Sequence, residues 1–236
     1  MDNRRDLLAL GGAATLAAFA GRGRAFAAPV GQTVSRLETR LFNFNEHLSP
    51  GVRDDIIAKF KDRVTSAAVV VGRNFIPTPF PTRFEWIYMA RLDDAAGNAT
   101  STDQGFRRAC DELASHCRNQ VQCDLTGAGL AAFSGTAGVK VRHTVMFDFK
   151  PDAPPEARDR NVAAIRAMGN LPMVQKYLVQ RNTQDASGPD QMQWQVIGDF
   201  ASAADYRAYS EAPVHLAIRD DFTAHTARVA FLDVEL

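Results

Sequence analysis

The chain carries no excess charge of either sign: 27 lysines and arginines balance 27 aspartates and glutamates over 236 residues. A nucleic-acid footprint needs a basic excess or a basic stripe, so nucleic acid is not expected as a partner. Long apolar runs are missing as well, and no membrane span is expected in the mature chain. There is no CxxCH motif, which excludes covalent c-type haem attachment. The glycine-rich stretch 127–138 has neither a GxGxxG pattern nor a phosphate-loop lysine, so it promises no nucleotide site. Cysteine is scarce, with three in the first half. Cys110 and Cys117 fall seven apart on an expected helix, about 10 Å by helical rise, too far for a disulfide. Cys123 with either of them stays open. The spacings match no zinc signature, and the leading reading is that the three are small buried apolar residues.

What is present begins with a leader. Arg4-Arg5 precedes Leu7-Leu8, a weakly hydrophobic Gly/Ala-rich run follows, and Ala25-Phe26-Ala27 offers a small-x-small cleavage site. This resembles a twin-arginine export signal over 1–27. It places the mature chain, from about Ala28, in the periplasm or outside the cell.

The strongest pattern lies at 140–149, KVRHTVMFDF. His143, Val145, Phe147 and Phe149 fall on one face of a strand, and a helix follows a proline-marked turn, with Val162, Ile165 and Met168 at helical spacing. The first half repeats this order. A strand at 37–44 leads to Ser49-Pro50, a good helix start, and Val52, Ile56, Ile57, Phe60 and Val64 share a helical face. Strands follow at 67–75 and 83–92, a helix carries Phe106, Ala109, Cys110, Leu113 and Cys117, and a short strand closes at 121–125. In the second half the strands are expected at 140–149, 174–181, 192–200 and 228–236. Helices are expected at 155–168 and after Ser202, whose Asp205 sits at capping-box spacing. Both halves therefore read β-α-β-β-α-β. Residues support the repeat: Arg73-Asn74 and Arg181-Asn182 each precede a tryptophan, Trp86 and Trp194, by the same 13 residues counted from the arginine. The tryptophans read as strand anchors.

The fold class expected is therefore α+β, with two ferredoxin-like halves at 28–126 and 140–236 joined by a linker at 127–139. Each half has helices on one sheet face only, so its other apolar face must be covered. Two such sheets cover each other in an intramolecular α+β barrel.

At 141–155, VRHTVMFDFKPDAPP, the chain resembles the stress-responsive dimeric α+β barrel family. The likeness extends to Gln180-Arg181-Asn182 and to Tyr209–His215, YSEAPVH. It implies a tandem copy of that domain whose paired halves enclose a small hydrophobic cavity. The fold hosts many unrelated roles. Plant polyketide cyclases of this family use a tyrosine six residues before a histidine, with a proline two before it; Tyr209, Pro213 and His215 keep that spacing. The family's first-strand histidine corresponds to His143 and its final-strand aspartate to Asp233. A histidine often found before the proline is Ala212 here, a departure. In the first half Glu38 stands where His143 would, so the candidate site belongs to the second half.

The resemblance thus implies His143, Tyr209 and His215 as candidate catalytic residues. Pro213 breaks the helix between Tyr209 and His215, which lets both side chains converge. A neutral imidazole suits a general base on a carbon flanked by carbonyls, and a phenol can donate to the developing enolate. That is cyclase, aldol or lyase-like acid–base chemistry, and it calls for no cofactor. The alternative is a non-catalytic protein that binds a small hydrophobic molecule or serves a stress response. Haem, held through one of five histidines, is a distant third. Self-association through the outer surfaces is a further expected partnership.

Overall fold

The computed structural model describes residues 34–64, 68–75, 84–94, 101–133, 135–184 and 188–236. The expected export signal at 1–27, and the prolines at 77, 79 and 81, lie outside them. The first half runs β1 (Val34–Phe44), α1 (Pro50–Arg63), β2 (Ala68–Arg73), β3 (Trp86–Asp94), α2 (Ser101–Ser115) and β4 (Cys117–Thr126). The second runs β5 (Val141–Phe149), α3 (Pro155–Ala167), β6 (Lys176–Arg181), β7 (Trp194–Phe200), α4 (Ala203–Ser210), α5 (Pro213–His225) and β8 (Thr226–Glu235). Each half forms one four-stranded antiparallel sheet, in the order β2-β3-β1-β4 and β6-β7-β5-β8. This is the ferredoxin-like α+β fold, twice. Among the described residues no helix is long and apolar enough to cross a membrane.

Strand alternation divides each sheet into two working faces. One face carries Leu37, Leu41, Ile87, Met89 and Leu125 from the first sheet and Met146, Ile197, Ala230, Leu232 and Val234 from the second. These pack into one buried core between the sheets. The opposite faces meet helices. Phe42, Tyr88 and Trp86 pack with Ile57, Phe60, Phe106 and Leu113 in the first half. Val141, Phe147, Val196 and Phe200 pack with Val162, Ile165 and Tyr209 in the second. On α1, Ile57 and Phe60 are buried and Ile56 partly so, but Val52 is 44% exposed, against the expected stripe. Val52 lies in the first turn of α1, and the buried residues of the helix begin with Ile57.

The sheets are also stitched at their edges, which places both halves in one barrel wall. The Phe75 N–H donates to the Asp233 carbonyl at 3.2 Å, and Asn74 bridges Val234. On the other side Gln122 N–H donates to Asp190 O at 2.8 Å, Met192 N–H to Gln122 O at 2.9 Å, and Thr183 N–H to Asp124 O at 2.8 Å. Gly72 allows the first closure, because a Cβ there would stand 2.6 Å from Val234 Cγ1.

The repeat is a structural one. Arg73 pairs with Trp86 across β2 and β3, and Arg181 with Trp194 across β6 and β7. Asn74 Nδ2 donates to Phe84 O at 3.1 Å, and Asn182 Nδ2 to Met192 O at 2.8 Å. Each tryptophan packs among aromatics: Trp86 edge-on to Phe44, Trp194 stacked on Phe147.

Two readings change. Helix α2 stops at Ser115, and Cys117 begins β4 opposite Phe44, so Cys110 and Cys117 do not share a helix. The pairing edge of β1 extends far enough to take Cys117 into the ladder. All three cysteines are free, with Cys110 and Cys123 buried. The segment between the halves is not a bare linker. Ala128–Phe133 forms a 3-10 helix, and Leu130 and Phe133 enter the inter-sheet core. Arg142, fully buried, grips it: Nη1 donates to Phe133 O at 2.8 Å and Nη2 to Gly135 O at 3.1 Å. The same guanidinium forks onto Asp199, with Nε–Oδ1 at 2.7 Å and Nη2–Oδ2 at 2.9 Å.

Candidate functional site

Register builds the site. Tyr177 on β6 pairs with Gly198 on β7, Gly198 with His143 on β5, and His143 with Asp233 on β8. These four residues form one row across the sheet on its helix-facing side. Gly198 leaves the row open at its middle. A Cβ there would press on Tyr177 and Phe200 at 3.2–3.3 Å. His143 Nδ1 meets Asp233 Oδ1 at 2.6 Å. With Nδ1–H donated to the carboxylate, the Nε2 lone pair is the ring's remaining polar group. Asp233 is 1% exposed and His143 8%. Asp233 also receives a side-chain hydrogen bond from Tyr206.

Helices α4 and α5 supply the opposite wall. Ser202 caps α4, its Oγ accepting from Asp205 N at 3.1 Å. Ala212, in extended conformation before Pro213, ends that helix, and α5 starts at the proline. The break brings Tyr209 and His215 together, with ring centroids 4.9 Å apart. The Tyr209 ring stands 5.9 Å from that of His143. Its hydroxyl, however, pairs with the Tyr177 hydroxyl at 2.9 Å. All three candidate residues, with Tyr177 and Tyr206, line one cavity of about 440 Å³. Its remaining walls are mainly apolar, including Phe147, Met168, Val196 and Phe222.

The cavity therefore lies between the second sheet and its own helices. It is not enclosed by the two halves, as the resemblance implied, because side chains of both sheets fill the space between them.

Burial sets the electrostatics. It pushes the Tyr209 phenol up to about 12, with the Tyr177 hydrogen bond pulling the other way. Tyr177 and Tyr206 are raised further, again by burial first. His215 is lowered to about 4, first by desolvation, then by the nearby His143 and Arg219, while the Ser210 backbone opposes. His215 is thus a neutral ring at physiological pH.

The first half fills the same row differently. Val69, Ala90, Glu38 and Asp124 occupy the positions of Tyr177, Gly198, His143 and Asp233. Tyr88 donates to Glu38 at 2.5 Å, and its ring packs against Phe60 and Phe106. Burial and the facing Glu38 raise Asp124 to about 6. Among the described residues no group of three or more His, Cys, Asp or Glu side chains is arranged to hold a metal ion.

Sequence reasoning did not single out Tyr177 and Tyr206. The available signal was strand register: Tyr177 opposite a glycine that also faces His143.

Fold and site together define a ferredoxin-like α+β barrel with a cavity on the helix side of one half. Residues 141–236 match the model of the stress responsive A/B barrel domain family. No curated protein matches the chain. Among solved structures, an anthrone oxidase-like protein is 11% identical, with a TM-score of 0.58, and the match covers 87% of this chain and 92% of that one. A protein of the same domain family from Mesorhizobium loti is 22% identical over 42% of this chain and 97% of its own, with a TM-score of 0.36. Hydroxynitrile lyase from Passiflora edulis is 19% identical over 42% and 94%, with a TM-score of 0.39. The first of these spans both halves, and its likeness bears on the fold alone.

Proposed function

We propose that the second half binds a small apolar carbonyl compound and moves a proton at the carbon beside the carbonyl, as a cyclase or lyase of acid–base type would. One observation carries this reading: a buried His143–Asp233 pair faces an apolar cavity that Tyr209 and His215 also line. His143 is the base. Asp233 holds Nδ1–H, keeps the lone pair on Nε2 and stands against the positive charge the ring gains with a proton. Tyr209, hydrogen-bonded to Tyr177, donates to the oxygen that gathers charge. The role first assigned to His215 shifts. A ring held neutral down to about pH 4 is a weak base, and it serves better as an uncharged hydrogen-bonding group that orients the ligand. The match of 141–236 to the barrel family supports a small-molecule site in this half.

The test is exchange of α-protons for deuterium in a panel of small ketones and β-diketones, followed by NMR in deuterated buffer. Wild-type protein should speed exchange above buffer, and His143→Asn should abolish the gain. Ligand binding without any exchange would sink the catalytic reading. It would leave a carrier, a role favoured by one observation: the Tyr209 hydroxyl already has a partner in Tyr177. We also infer export by the twin-arginine route, on the strength of Arg4-Arg5 and the segment after it.

A further inference from the structure

We propose that the ligand of this cavity is an anion, an apolar chain or ring that ends in a carboxylate, and that Arg219 reads the carboxylate. The proposal rests on the reading of the cavity as a small-molecule site and adds the ligand's charge to it.

Arg219 lies on α5, one turn beyond His215, and lines the cavity. The cavity lining contains no aspartate or glutamate among the described residues. The closest acidic group to the candidate base, Asp233, is 1% exposed and engaged with His143. The guanidinium is half-exposed, and the ion pair it makes is a 3.8 Å contact with its chain neighbour Asp220, which is 86% exposed. A pair this loose, in water, competes weakly with an incoming ligand. Next to Arg219, His215 contributes an uncharged ring to the lining.

The planar fork of an arginine matches the two oxygens of a carboxylate, and at a partly desolvated mouth such a bond is stronger than one between neutral groups. Further along the lining, Phe147, Phe222 and Val229 offer only apolar surface, suited to an alkyl chain or a ring. A ligand cation would meet Arg219 with no carboxylate to receive it. A carboxylate held between Arg219 and His215 sets the neighbouring carbons toward Tyr209 and His143, since the Tyr209 ring lies next to both histidines.

The experiment is isothermal titration of the full chain at neutral pH with octanoate, octanol and octylamine. Octanoate should bind roughly tenfold more tightly than octanol, the gain of one charge-assisted contact. Octylamine should bind worst. Arg219→Gln should bring octanoate down to the level of octanol and leave octanol unchanged, and Arg219→Lys should keep part of the preference. Octanol binding as well as octanoate would overturn the proposal and leave the small-molecule reading standing. So would equal weakening of both probes by Arg219→Gln, which would assign the arginine a packing role. Failure of all three probes to bind would overturn the proposal and the small-molecule reading together.

Discussion

His143 and Asp233 are 90 residues apart in the chain, yet their side chains meet at 2.6 Å because β5 and β8 pair in a register that places them opposite each other. The first-half counterparts, Glu38 and Asp124, are opposed in the same way, so that half faces two carboxylates where the second has an imidazole and a carboxylate. One scaffold position thus separates a half with an imidazole from a half with a second carboxylate.

Replacing Asp233 by Asn should lower the exchange rate while leaving ligand affinity near wild type. Asn keeps the shape but removes the charge that faces the protonated ring. General acid–base groups typically contribute about 10²- to 10⁴-fold, and the loss should fall toward the lower end of that range while His143 remains. Exchange rates by NMR, set beside affinities by titration, check both parts. A loss of affinity equal to the loss of rate would assign Asp233 a structural role.

Stability should respond to acid through two opposed groups. Asp124 has its folded value raised from 3.8 to about 6, so between those limits the folded state holds a proton the unfolded state lacks. Its contribution is favourable in acid and is lost as pH rises toward 6, by at most about 3 kcal/mol. His215 has its folded value lowered from 6.5 to about 4, so in that window the unfolded state holds the extra proton. Its contribution is full above pH 6.5 and is lost as pH falls toward 4. Asp124→Asn should therefore make stability fall more steeply on acidification, and His215→Gln should make it fall less steeply. Urea midpoints between pH 4 and 7 check the two signs.

Arg142→Met should destabilise the chain by roughly 3–5 kcal/mol, the usual cost of leaving one buried charge without its partner. Asp199 would lose its fork, and the carbonyls of Phe133 and Gly135 would lose their donor. The double variant Arg142→Met with Asp199→Leu should recover part of the loss. Denaturant midpoints measure both, and a single variant within 1 kcal/mol of wild type would show that the pair does not anchor the segment between the halves.

The thiols should be inert in the folded protein. Burial pushes Cys110 and Cys117 up to about 12 and raises Cys123 as well, so little thiolate forms at neutral pH. A thiol reagent such as DTNB should react slowly with native protein and should find all three cysteines once the chain is unfolded. A single reactive thiol in denaturant would show that two of the three are joined in a disulfide.

Much of this molecule is legible in its sequence. Period-two alternation at 141–149, the Ser49-Pro50 and Ser202 helix starts, and the shared Arg-Asn…Trp spacing determine a doubled βαββαβ chain, because these are local preferences that act within a few residues. Pro213 likewise marks where α4 must end, and so allows Tyr209 and His215 to meet. Other features needed the tertiary structure. Which side of the sheet holds the cavity depends on how completely the side chains of two distant sheets fill the space between them. The ends of α2 and β4 depend on a pairing edge that β1 extends to Cys117. The row Tyr177–Gly198–His143–Asp233 depends on the register of four strands, a long-range relation that no local pattern encodes. The neutral state of His215 comes from burial beside His143 and Arg219, charges and surfaces that folding alone brings together.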